Sequence, residues 1–136
     1  MPDVIPMLAY EDGVAALEWL VRAFGFREVT RWVDDEGLLW HGELAIGDGV
    51  IMLATPTPEY ESPKHHRQSC EPAKRWSRVP WVIDGVLVYV DDVDEHFAHA
   101  LRAGAVILSE PEEGPDGRRY RAEDLEGHRW MFVERT

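Results

Sequence analysis

"YVDDVDEHFAHALRAGAVIL", residues 89–108, carries a strand, a helix and the start of a second strand in one stretch. An apolar strand ends at Tyr89 and Val90. Asp91 and Asp92 follow where a helix begins, and a carboxylate there accepts from the unpaired N–H groups of the first turn. Val93, Phe97, Ala100 and Leu101 recur at helical spacing and form one stripe. Gly104 then supplies the backbone freedom that ends a helix. Residues 10–29, "YEDGVAALEWLVRAFGFREV", repeat the plan: a tyrosine, acidic residues, a stripe of Val14, Leu17, Val21 and Phe24, then Gly25. The acidic starts Asp12 and Asp92 are 80 residues apart (92 − 12), and the glycines 79 (104 − 25). The second helix is therefore one residue shorter.

The repeat extends beyond the helices. "LLWHGELAIGDGVIMLAT" (38–55) reads as a hairpin about Asp48-Gly49, a favoured two-residue turn. "RRYRAEDLEGHRWMFVE" (118–134) reads as a hairpin about Glu126-Gly127. Each half is thus strand, helix, and three further strands: a tandem βαβββ duplication, α+β in class. The chain is expected to be one domain over 1–136, with a first module at 1–55, a linker at 56–83 and a second module at 84–136. The linker, "TPTPEYESPKHHRQSCEPAKRWSRVPWVI" from residue 55, is rich in proline and polar residues. It is longer than ordinary loops, which points to a functional or mobile segment. Trp76 and Trp81 indicate that part of it packs down.

Composition narrows the function classes. The chain has 136 residues, 45% of them hydrophobic, and a formal charge of −12. Such a charge repels phosphate backbones and anionic lipid, so neither nucleic acid nor a membrane surface is an expected partner. No run approaches the roughly 18–20 apolar residues that span a bilayer. The opening "MPDVIPMLAYED" has no basic segment followed by an apolar one, as a secretory signal requires. Cys70 is the single cysteine, which excludes an intrachain disulfide and fits a reducing cytoplasm. Six tryptophans are many for this length; such rings fill cores and also line sites for flat or cationic ligands.

"LVYVDDVDEHFAHALRAGA", "YRAEDLEGHRWMFVE" and "HGELAIGDGVIML" resemble the vicinal oxygen chelate superfamily, also called the glyoxalase/bleomycin resistance/dioxygenase superfamily. The likeness covers nearly the whole chain and is greatest to small glyoxalase-like or bleomycin-resistance-like members. It implies two modules whose mixed sheets curl into a cup with helices outside, and often a homodimer. It also implies, in catalytic members, a divalent metal held by a histidine on the first strand of a module and a glutamate on its last. Carried over, those positions are Ile5, Met52, Gly85 and Met131. None suits a divalent metal, since thioether sulfur is soft. No metal and no cofactor are therefore expected.

Alternation along the hairpins supplies further candidates. About an Asp48-Gly49 turn, Ala45 pairs with Met52. Leu44, Ile46, Ile51 and Leu53 then pack under the helices, and His41, Glu43, Ala45 and Met52 face the cup. About Glu126-Gly127, Tyr120, Ala122, Met131 and Val133 share a face, while Trp130 and Phe132 anchor a helix. A bulge would invert either set. Leu87, Tyr89, Trp32 and Trp76 complete the candidate lining.

Two function classes follow. One is a binding protein that holds a small, largely apolar or planar molecule, neutral or cationic, with His41 and Glu43 as polar anchors. The alternative is a metal-dependent lyase, isomerase or dioxygenase that uses His41 and Glu43, because a carboxylate orients an imidazole for acid–base work or metal ligation. The pair could equally be a solvated contact without chemistry. His65 and His66 in the linker, and His128 in the last turn, read as solvated. His96 and His99 lie on the second helix, where His96 reads as a packing residue. Cys70 lacks a partner motif. No phosphate-binding glycine loop or nucleophile elbow occurs. "EEGPDGRR" (112–119) reads as a charged, solvated loop.

Overall fold

The computed structural model describes residues 1–136. It divides into two compact units, Met1–Ser62 and Pro63–Thr136.

The first unit runs β1 (Met7–Ala9), α1 (Gly13–Phe24), β2 (Arg27–Val33), β3 (Leu39–Ile46) and β4 (Gly49–Ala54). Its sheet has the order β1-β4-β3-β2, with β1 parallel to β4 and the other pairs antiparallel. Asp12 caps α1, its carboxylate accepting from Ala15 N–H at 3.1 Å. Gly25 ends the helix in the left-handed conformation, φ 82°. The buried stripe is Ala16, Leu17, Leu20, Ala23 and Phe24. Val14 and Val21, assigned to the stripe on spacing, stand at its half-buried margins, because the sheet covers a band centred nearer Leu20. Leu39, Leu44, Ile51 and Leu53 form the sheet side of this core. Burying each such side chain contributes about 1.5–3 kcal/mol.

The second unit contains α2 (Pro63–Ser69), α3 (Glu71–Trp76), β5 (Gly85–Val90), α4 (Val93–Arg102), β6 (Val106–Gly114), β7 (Gly117–Glu123) and β8 (Arg129–Glu134). Its sheet has the order β5-β8-β7-β6, again with one parallel pair, β5 with β8. The duplicated βαβββ plan therefore stands in both units. Asp92 caps α4 by accepting from Glu95 N–H. Beneath α4, Trp130 and Phe132 are buried, as expected of helix anchors. His96 lies on the Phe132 ring, centroids 4.2 Å apart, and hydrogen-bonds the Tyr120 hydroxyl at 2.6 Å. Leu101, placed on the stripe by spacing, is instead exposed. The two tyrosines that open the repeat are not equivalent: Tyr10 is fully buried, whereas Tyr89 is half exposed. Faces alternate along a strand, and Tyr89 falls one residue before the position that matches Tyr10.

The segment expected as a linker forms two short helices, and both belong to the second unit. Its anchors are charges rather than Trp76 and Trp81, which stay 39% and 70% exposed. Glu123, on β7, is 1% exposed and accepts from both guanidinium nitrogens of Arg67 at 2.6 and 2.9 Å. It also accepts from Arg129 Nε at 3.0 Å. Arg129 donates onward to the carbonyls of Val79 and Ser77 at 2.7 and 2.6 Å. Buried charges are tolerated where each is paired and hydrogen-bonded, and this network ties the segment to β7 and β8. At the other end Lys64 N–H donates to Glu126 O, over Gly127, whose φ is +91° and where a Cβ would come within 2.8 Å of Lys64 N. The 112–119 loop is likewise held: it closes the β6–β7 hairpin, and Arg118 pairs with Asp94 of α4 at 2.9 Å.

Candidate ligand-binding site

On the face of the first sheet away from α1, alternation places His41, Glu43 and Met52, as expected. The register differs. The β3–β4 turn is Gly47-Asp48, not Asp48-Gly49, because Gly47 takes the positive φ (54°). Ile46 then pairs with Gly49, and Met52 with Glu43 rather than Ala45. The slip changes the partner by two residues, so the faces survive and the neighbour changes. His41 Nε2 stands 2.9 Å from Glu43 Oε1.

Trp32, on β2, pairs with His41, and the register shifts between Trp32 and Val33, leaving Trp40 as a bulged residue. A bulge places two successive side chains on one side of the strand. Trp32 consequently meets both Trp40 and His41, with ring centroids 5.1 and 4.9 Å away. Both indoles remain half exposed. Trp40 was not among the sequence candidates; alternation from His41 assigns it to the opposite face, and only the bulge brings it round. Beside Met52 on the other flank stands Met7, its partner on β1.

In the second unit the expected face assignment is half inverted. Tyr120 and Ala122 are fully buried and pair with Phe132 and Trp130, on the α4 side. The β7–β8 connection is not a two-residue turn: Glu123 pairs with Arg129 across Asp124–His128. Asp124 folds this loop by accepting from Glu126 N–H and His128 N–H, and from the Trp130 indole at 3.1 Å. Five connecting residues instead of two shift the register by one, which moves every β7 side chain to the other face. Tyr120 is thereby a core residue whose phenol is held above its ordinary pKa by burial. His128, expected to be exposed, is half buried because this loop is folded. Met131 keeps its assigned face, away from α4, and pairs with Arg121 on one side and Leu87 on the other. Leu87 and Tyr89 project from β5 on that same face, each partly exposed.

Met131 lines a cavity of about 200 Å³ with Trp81, Ile83, Leu87, Arg121 and Arg129. Trp76, offered by the sequence as a lining ring, ends α3 instead, 6.3 Å from the ring of His66. Trp81 takes that role. Arg121 left no signal in the sequence beyond its charge, because its face depends on the loop length; Arg129 shares the face of Met131 by alternation, but nothing local marks it as lining a cavity.

The positions carried over for a metal do not form a donor set. Ile5 precedes β1 and Gly85 pairs with Arg129, while the first-strand partners of the two methionines are Met7 and Leu87, neither a ligand for a divalent metal. No three His, Cys, Asp or Glu side chains converge in a way that could hold a metal ion. The side chains around Met52 and Met131 do not fit the divalent site that the resemblance implies for catalytic members.

The profile of the Glyoxalase/Bleomycin resistance protein/Dioxygenase superfamily matches residues 6–132. This chain belongs to that superfamily. A relative from Mycobacterium bovis, described as uncharacterized, is 31% identical over 96% of this chain and 82% of its own length. Among solved structures, TioX from Micromonospora sp. ML1 is 34% identical, with a TM-score of 0.71 over 99% of this chain and 97% of that one. The bleomycin-binding protein of Streptomyces verticillus, solved with copper(II)-bleomycin, shares the fold at 16% identity and a TM-score of 0.62, over 100% and 98% of the two chains. The superfamily assignment agrees with the two four-stranded mixed sheets and their helices. No helix is long and apolar enough to cross a membrane.

Proposed function

We propose that this protein binds a small, planar, largely apolar molecule and does so without a metal. The observation that carries the reading is the surface beside Met52: a flexible thioether, two half-exposed indoles and one hydrogen-bonded His41–Glu43 pair. Adaptable apolar walls with a few oriented polar groups are the usual composition of a small-molecule site. The bleomycin-binding relative supports binding as the general task. Burying about 200 Å² of apolar ligand surface at roughly 25 cal/mol per Å² contributes about 5 kcal/mol before association costs. Affinity is then micromolar at best unless the polar groups add to it.

The test is a fluorescence titration with planar cations and matched neutral compounds. Glu43→Gln is expected to weaken a cation by about tenfold or more, the worth of a charged hydrogen bond, and to spare the neutral compound. Met52→Glu sets a second carboxylate beside Glu43 and is expected to abolish neutral binding. If a ligand is found and neither substitution changes its affinity, recognition lies elsewhere.

The 2.9 Å contact between His41 and Glu43 also favours a second reading, an enzyme that uses this pair. One tightly held metal per chain in elemental analysis of the purified protein, lost in His41→Ala, would establish that reading and overturn the first.

A further inference from the structure

The cavity beside Met131 lies wholly within the second unit, and its chemistry differs from the Met52 surface. Its walls include a strap residue, Trp81, and three sheet side chains, Leu87, Met131 and Arg121. Arg129 also borders it, but Arg129 is occupied by Glu123 and by the carbonyls of Val79 and Ser77. Arg121 is different. Its cross-strand neighbours are Met131 and Ser109, neither of them an anion. The acid two residues along its strand, Glu123, is already taken by Arg67 and Arg129. Arg121 thus has no carboxylate partner in a chain with 26 acidic and 14 basic residues. On the same cavity, the Trp81 indole stays 70% exposed.

We propose that this cavity is a subsite for an aromatic ring bearing an anionic group, of the aryl-carboxylate class. A cavity of about 150 Å³ takes a benzene-sized molecule, so about 200 Å³ beside the exposed Trp81 takes one ring or two fused rings with a carboxylate. The ring lies between Trp81 and the Met131 thioether. The carboxylate meets the Arg121 guanidinium, whose planar fork matches it in two parallel hydrogen bonds. The overall charge of −12 opposes anions at long range, but that field is screened over about a nanometre at physiological salt. A contact pair with a guanidinium that the protein leaves unneutralised is not.

The proposal rests on the small-molecule reading above and sharpens it for this one cavity. The probes are 1-naphthoate and its neutral isostere 1-naphthamide, titrated calorimetrically at physiological salt. The wild type is expected to bind the naphthoate at least tenfold more tightly. Arg121→Met is expected to erase that preference, and Arg121→Lys to keep part of it, since a lysine restores charge but not the fork. Met131→Glu, which sets a carboxylate opposite Arg121, is expected to remove naphthoate binding. Trp81→Ala is expected to weaken both probes alike. Equal affinity for the two probes, or a preference that survives Arg121→Met, overturns the subsite. If the planar neutral compounds of the preceding test bind but naphthoate does not, the subsite alone is wrong. If nothing in either set binds, the small-molecule reading falls with it.

Discussion

In the first unit Met52 lies beside Glu43; in the second, Met131 lies beside Arg121. The methionines are 79 residues apart (131 − 52) and their neighbours 78 (121 − 43), so each pair holds the same place in its own sheet. The parts that fix the backbone are repeated. Asp12 and Asp92 cap equivalent helices, and the first helical N–H groups, of Gly13 and Val93, donate to Thr55 and Glu134 at the ends of the last strands. The parts that meet other molecules have diverged in sign. A duplication keeps what the fold needs, because losing a cap costs both copies alike. The away-facing positions are free to change, because a sheet tolerates either charge where the side chain reaches solvent or a cavity.

The widest divergence is where the third and fourth strands of each unit meet near their connection. Glu123 corresponds to Ala45 (123 − 78) and Arg129 to Val50 (129 − 79), so an ion network in one unit replaces an apolar pair in the other. Glu123→Ala leaves two arginines partly or wholly buried without their anion. Its expected cost is about 3–5 kcal/mol, against about 1 kcal/mol or less for Ala45→Ser. Thermal melts of the two variants measure the contrast. Hydrogen exchange is expected to show lost protection over residues 63–76 in Glu123→Ala only.

On the helix side, Gly42 stands where the second unit has Tyr120 (120 − 78). A Cβ at Gly42 would lie 3.0 Å from Leu17 and 3.1 Å from Leu39, both fully buried. Gly42→Val is therefore expected to destabilise by about 1–3 kcal/mol through overpacking. An unchanged melting temperature would mean that α1 sits less tightly than this spacing indicates.

Tyr120→Phe removes a hydroxyl that His96 contacts, a loss of about 1 kcal/mol at neutral pH. The alkaline behaviour is more telling. Burial raises the Tyr120 pKa above its ordinary value of 10.0. Above that pH the unfolded chain releases the proton while the folded chain keeps it, so stability falls as pH rises. Urea melts from neutral pH to about pH 11 are expected to show a shallower decline in Tyr120→Phe than in the wild type. Parallel curves would show that Tyr120 is not the group responsible. The smallest contrast concerns the caps: Asp12→Ala and Asp92→Ala are each expected to cost about 0.5–2 kcal/mol, and by similar amounts. A marked inequality would break the equivalence of the two helices.

The sequence by itself determined the duplication, the strand and helix order within each βαβββ module, the caps and the superfamily. Each rests on local chemistry: carboxylates at helix starts, glycines at ends, and spacing that separates helix from strand. It also placed His41, Glu43, Met52 and Met131 on the right faces, since alternation is a local rule and the slip in the first hairpin was even. Tyr120 failed because an odd change in loop length inverts a face, and that length depended on the Asp124 side chain folding the loop. Trp40 escaped notice because a bulge is invisible to alternation. The strap was legible only as a long segment between modules. Its attachment depends on Glu123 meeting Arg67 and Arg129, residues distant in the chain, and no local pattern reports such a meeting. Tertiary structure alone decided which arginine is spent on that network and which, Arg121, is left without a carboxylate beside a cavity.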